Sequence, residues 1–220
     1  MPSPSPSPSR PAPEQLVAIY ADESCLGNGR EGDNPGGAGG LIEIRHPRTG
    51  EIARRDYWLS EPGTTNNRMA LRSAITGLEL ISAKRQRFLV QFTSDSRYLV
   101  DGMTAWVYDW MRRGWKRKSG PIENLELWQE LVAAARPHRV SWRWVRGHAG
   151  HPQNEWANVL ATRAAAAQTS SPGLVPSGFE AWLAAERARG RMSISPDPLP
   201  DPSALRGARA LPDIPTRSLS

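Results

Sequence analysis

Two aspartates stand where a chain most readily builds chemistry. Asp22 closes the compact apolar run Leu16–Ala21, and Asp95 follows the run Phe88–Thr93. Runs of this length read as buried strands, so each carboxylate falls at a strand end. An aspartate there serves as a turn or capping residue, or as a hard oxygen ligand for a divalent cation. Histidine is the second reactive type. The segment GHAGH carries His148 and His151, and a side chain that titrates near neutrality can move protons. His151 reads as structural or solvent-exposed, and zinc is a poor fit, because Cys25 and the other histidines are not at ligand spacing. The third feature is basic. Arg112, Arg113, Lys116, Arg117 and Lys118 crowd together, interleaved with Trp106, Trp110 and Trp115. Helical spacing puts Trp106 and Trp110 on one face for packing. The cations then project outward to a polyanion, and binding should weaken steeply with salt.

The elements that must position these residues follow from periodicity. A buried strand at 16–21 is followed by a turn-rich insert at 27–37, then by strands near 38–45 and 52–59 joined by a turn at 47–50. Thr64 and Thr65 are N-cap candidates for a helix in which Leu71, Ile75, Leu78 and Ile81 recur at helical spacing. After the strand 88–93 come short helices around 96–103 and 104–113, a stronger helix at 121–136, a strand at 139–146 and an alanine-rich helix at 154–167. Trp128, Trp142 and Trp144 read as core. The fold class is mixed α/β.

The ends differ in composition. Residues 1–14 alternate proline with serine or alanine and are expected as a disordered tail. Residues 15–167 form the domain. Residues 168–220 read as a Pro/Arg-rich tail, with a short, transient helix at 179–191 carrying Phe179, Trp182 and Leu183 on one face. No apolar run approaches the roughly 20 residues that span a bilayer, and the first residues lack the apolar stretch of a secretory signal. A single cysteine fits a reducing cytoplasm. The net charge of +6 favours nucleic acid as partner.

Six blocks appear in order: IYADESCLGN (19–28), TTNNRMALRSAI (64–75), TSDSRYLVDGM (93–103), WVYDWMRRGWK (106–116), LWQEL (127–131) and WRWVRGHAGHPQNEWAN (142–158). Together they resemble type 1 ribonuclease H. The resemblance implies a five-stranded mixed sheet with helices on both faces, and a monomer that cleaves the RNA strand of RNA–DNA hybrids. It also implies four carboxylates holding Mg²⁺, with Mn²⁺ as the alternative. Two cations about 3.5–4 Å apart stabilise both the attacking and leaving oxygens of an in-line displacement.

Asp22 and Asp95 match two of the four acids, and His148 matches the family's flexible-loop histidine. The other two acids are replaced by Ala70 and Asn158. Alanine binds no metal, and asparagine offers one neutral oxygen. Three acids are candidates to compensate. Glu23 stands where the family usually has glycine, although strand alternation would point it away from the face of Asp22, so a bulge or twist is expected there. Glu155 lies one helical turn before Asn158, and Asp33 sits in the glycine-rich insert. Asn28, Asn66 and Asn67 match positions that contact nucleic acid in the minor groove, where side-chain amides read 2′-hydroxyls, and Thr65 fits a contact to a DNA-strand phosphate. Thr65 and Asn66 also suit helix capping. Arg97 replaces a common glutamine and would contact phosphate or a base edge. Trp106, Trp110 and the basic cluster resemble the family's basic protrusion. Two functions compete: hydrolysis of hybrids, or a hybrid-binding module that has lost or much reduced cleavage.

Overall fold

The computed structural model describes residues 15–26, 34–46, 48–82, 86–202, 205 and 211–212. Asn28, Asp33 and the expected tail at 1–14 lie outside the described residues. Six strands form one mixed sheet: β1 (Gln15–Cys25), β2 (Gly36–Arg45), β3 (Ile52–Glu61), β4 (Phe88–Ser94), β5 (Arg139–Trp144) and the two-residue β6 (Val175–Pro176). Their order is β5-β4-β1-β2-β3-β6. β1, β2 and β3 are antiparallel neighbours, whereas β4 runs parallel to both β1 and β5. Ala21 pairs with Ser94 across β1 and β4. β1 runs on to Cys25, past the expected end at Ala21, so Asp22 lies one residue beyond the last β1–β4 pair and Asp95 one residue beyond β4, at the carboxyl end of the parallel pair, where open α/β sheets place their sites.

Strand alternation divides the core in two. Val17, Ile19 and Ala21 pack with Leu71, Leu78 and Trp128 beneath α1 (Asn66–Ser82) and α4 (Leu125–Ala135). Leu16, Ala18 and Tyr20 pack on the opposite face with Trp156 and Leu160 of α5 (Pro152–Ala167). α5 approaches β2 closely because of the GGAGG run at 36–40. A Cβ on Gly39 would lie 2.5 Å from Leu160 Cβ and 2.6 Å from the Ala157 carbonyl oxygen. The alanines of α5 supply the matching flat surface.

Three expectations change in detail. The two short helices expected after Asp95 are one interrupted helix. It comprises α2 (Arg97–Asp101), a π-helical turn at Gly102–Trp106 and α3 (Val107–Arg112), with Gly102 accommodating the ring of Trp128. The helix expected from residue 121 begins at Leu125, because Asn124 is left-handed at φ 54°. The alanine-rich helix starts two residues early, at Pro152, with His151 as its cap.

The stretch after residue 168 departs most. It supplies β6, the sixth strand beyond the five expected, which pairs with β3. It also supplies α6 (Phe179–Ala188), which ends three residues before the expected 191. Phe179 and Leu183 are buried with Leu16, Ala18 and Leu89, and Met192 and Leu199 join them. The amphipathic pattern was visible in the sequence. Its docking follows from a sheet face that α5 alone does not cover. Asp56 on β3 secures the connection by accepting hydrogen bonds from Trp156 Nε1 (3.0 Å), Ser177 Oγ (2.7 Å) and the Gly178 amide (2.9 Å).

Candidate metal centre

Asp22, Glu23 and Asp95 each present a carboxylate oxygen within 4.8 Å of the other two. The pairing of β1 with β2 continues in register through Asp22, Glu23 and Ser24, with no bulge. Glu23 therefore does leave the strand on the opposite face from Asp22, and still reaches the same point. It can do so because the site lies beyond the end of β4, where nothing in the sheet separates the two faces. Its face is that of Ala21, which packs in one cluster with Ala70 of α1. Glu23 thus occupies the side of the sheet from which a longer acid at position 70 would have entered.

Each acid has a distinct setting. Asp22 is 6% exposed. Its Oδ1 accepts the Glu23 amide (2.7 Å) and its Oδ2 accepts Asn154 Nδ2 (3.0 Å). Burial, then the charge of Asp95, raises its pKa to about 8 against the partial opposition of those two bonds. Burial also pushes Glu23 well above the ordinary carboxylate range. The charges of Asp22 and Asp95 add to this, and a hydrogen bond from Ser96 opposes it. Asp95 is raised chiefly by burial. Among the described residues no lysine or arginine pairs with any of the three. Three crowded acids that resist ionising together form an all-oxygen donor set suited to a hard divalent cation.

The loop after β5 closes over this centre. A Cβ on Gly147 would stand 2.2 Å from Asp95 Oδ2, so glycine here leaves the Asp95 carboxylate its place. His148 is exposed, has φ 52°, and its charge acts on Asp95. Glu155 lies outside the three-acid group and accepts the Gly150 amide (3.2 Å), so its carboxylate serves the loop. Asn158 is half-buried one turn after Asn154.

Trp144, expected in the core, is 36% exposed. Its Nε1 donates to the Asp95 carbonyl oxygen (2.9 Å), and the Arg97 guanidinium stacks 3.8 Å from its ring centroid. Its strand parity matches that of Val140 and Trp142, but at the strand's end it meets the Arg97 guanidinium in place of an apolar helix face. Asn154 and Ser96 also escaped the sequence reading, since hydrogen bonds between distant segments leave no periodic trace.

The expected substrate residues fall on two other elements. Thr65, Asn66 and Asn67 gather at the start of α1, where Thr65 Oγ1 caps the Arg68 amide (3.3 Å). The Asn66 Oδ1 is buried with no partner among the described residues. Arg112, Arg113, Lys116, Arg117 and Lys118 are all exposed, and Arg112 pairs with Asp109. Arg113, Arg117 and Lys118 line a groove of about 400 Å³ with Tyr98, Trp106 and Trp110. Trp106 packs against Trp110 and Tyr98, with ring centroids 5.9 and 5.8 Å away, yet remains 38% exposed.

Comparison with known proteins is consistent across sequence and structure. The RNase H family profile matches residues 14–166. Ribonuclease H of Cronobacter sakazakii is 43% identical over 155 residues, which is 70% of this chain and 89% of that one. The crystal structure of LC9-RNase H1, described as a type 1 RNase H with the type 2 active-site motif, is 61% identical with a TM-score of 0.85. That match covers 95% of this chain and 99% of the other. The RNase H domain of PFV shares the fold at 16% identity and a TM-score of 0.56, over 70% of this chain and 96% of that domain. From the parallel pair that carries Asp22 and Asp95 to the loop that carries His148, this chain belongs to the RNase H family.

Proposed function

We propose that this protein hydrolyses the RNA strand of RNA–DNA hybrids, using Mg²⁺ or Mn²⁺ held by Asp22, Glu23 and Asp95. The observation that carries this reading is the convergence of three carboxylates, none of them ion-paired to a lysine or arginine among the described residues. A module that only bound hybrids would gain nothing from it, because three acids at the contact surface repel phosphate until a cation intervenes. The relative described as having the type 2 motif within a type 1 frame supports a rearranged set of site residues. The rearrangement here is Glu23 for the acid absent at Ala70, with Asn158 as a neutral oxygen donor. Bound cations would activate water and stabilise the leaving oxygen. Asp22 and Asp95 orient those cations from two strands, while His148 exchanges protons at the loop.

Thr65, Asn66 and Asn67 would hold the hybrid at the start of α1. Arg97, fixed by Trp144, would meet it beside Asp95, and the basic groove would follow the DNA strand. A cytoplasmic location fits the free Cys25. Among the described residues no helix is long and apolar enough to cross a membrane.

The test is cleavage of a labelled hybrid in Mg²⁺. Glu23→Gln is expected to lower the rate by about tenfold or more, and adding Ala70→Glu to that variant is expected to restore it. An unchanged Glu23→Gln rate would remove Glu23 from the metal site. A wild-type protein that binds hybrid without cutting in either metal would overturn the enzyme reading.

A further inference from the structure

The segment after α6 does more than cover the sheet. Among the described residues Asp197 makes four hydrogen bonds, all to the last residue of the GHAGH loop or to residues that flank it. Its Oδ2 accepts from Arg143 Nη1 of β5 (2.6 Å) and from His151 Nε2 (3.1 Å). Its backbone exchanges two more with the Gln153 side chain: Gln153 Nε2 donates to the Asp197 carbonyl (2.8 Å), and the Asp197 amide donates to Gln153 Oε1 (3.2 Å). Met192 and Leu199 bury on either side, so the segment is anchored independently of Asp197. Ile194 lies against the loop, 3.0 Å from where a Cβ on Gly150 would stand.

His151 connects this clasp to the carboxylates. Its Nδ1 accepts the Asn154 amide (3.4 Å) as the cap of α5, which requires that nitrogen to be unprotonated. Its Nε2 therefore carries the hydrogen donated to Asp197, and one tautomer satisfies both bonds. The residue so capped, Asn154, is 2% exposed and donates to Asp22 Oδ2. Three consecutive contacts thus run from Asp197 to His151, to Asn154, to the Asp22 carboxylate. Outer partners of this kind orient metal-binding groups.

We infer that Asp197 is a positioning residue for the active site, acting through the His151 cap to hold Asn154 against Asp22. This rests on the reading of Asp22 as a metal ligand. The chain then uses a segment outside the 14–166 region of the family match to set the geometry of its catalytic end.

The experiment compares full-length Asp197→Ala, Asp197→Asn and Leu199→Ala well below their melting temperatures. Leu199 buries in the same segment and makes none of the clasp's hydrogen bonds, so its variant reports packing loss. Asp197→Ala is expected to lower kcat about tenfold and to raise the Mg²⁺ concentration for half-maximal rate, with KM for the hybrid nearly unchanged. Asp197→Asn, which can still accept from His151, is expected to recover most of the loss. Leu199→Ala should lower Tm and leave kcat alone. Equal kcat for wild type and Asp197→Ala would overturn the inference, as would an equal kcat loss in Leu199→Ala. Nitrogen-15 shifts of His151 in the wild-type protein give a reading that needs no variant: the Nε2–H tautomer is expected, and the Nδ1–H tautomer would overturn the chain of contacts. Asp22→Asn separates the two levels. If it cuts like wild type, the metal-site reading itself fails; if it is inactive while Asp197→Ala is normal, only the positioning role fails.

Discussion

Two sets of buried and half-buried acids divide this molecule. Asp22, Glu23 and Asp95 crowd at the open end of β1 and β4, with each other as their nearest charges. Asp56 on β3, Glu43 on β2 and Asp197 beyond α6 lie where the C-terminal segment packs, and each has protein partners. Asp56 accepts three hydrogen bonds, Glu43 pairs with Arg54 (2.6 Å) and Asp197 with Arg143 (2.6 Å). Burial raises acids in both regions, Asp56 and Glu43 included. The difference lies in what compensates them. Where donors or a cation from the protein compensate a single acid, that acid fastens segments together. Where three acids crowd one another and none is ion-paired, the site is built for a cation from solution.

The contrast predicts opposite outcomes. The largest effect is expected from Asp56→Ala, which orphans the Trp156 Nε1–H and the Gly178 amide in a buried setting. Each stranded donor costs about 1–3 kcal/mol, so denaturant unfolding should show a marked loss of stability, while kcat well below Tm stays near wild type. A large kcat loss with normal stability would erase the division. Gly147→Ala should do the reverse. The added methyl meets the Asp95 carboxylate, which can turn aside, so Tm should hold while cleavage falls by about tenfold or more. A matching fall in Tm would mean the loop shifts and Asp95 does not.

The smallest expected effect is a pH drift in the metal-free protein. Asp22 rises from 3.8 to about 8 on folding, so the folded state holds a proton that the unfolded chain releases. Its stability contribution is complete below 3.8 and is lost as pH rises through about 8. In EDTA, Tm should decline by a few degrees across that window, and Asp22→Asn should flatten the decline. Because cations bind the ionised acids, Mg²⁺ should raise Tm more above the Asp22 pKa than below it. A Tm in EDTA that climbs over this range would contradict the crowding of the three acids.

Much of the fold was legible because it rests on local rules. Apolar runs marked β1 and β4, helical spacing marked α1 and α4, and the ordered motif blocks marked Asp22, Asp95, His148 and the basic cluster around Arg113. Two of the larger errors share one cause. Trp144 alternates like a core residue, and Phe179, Trp182 and Leu183 look like any amphipathic stretch. Whether such a face is covered depends on which distant element is free to pack there.

By itself the sequence determined that two aspartates follow apolar runs that read as strands, that Ala70 and Asn158 withdraw two acids, and that Glu23 stands beside Asp22 on the opposite strand face. Period-two alternation specifies that face and no more. Only the tertiary structure decided that the two faces meet beyond the end of β4, so that Glu23 joins Asp22 and Asp95 within 4.8 Å without a bulge. It also decided that Asp197 lies beside His151 (3.1 Å) and Asn154 beside Asp22 (3.0 Å). Those contacts join residues more than forty positions apart, and only the packing of α5 and the C-terminal segment against one sheet brings them into reach.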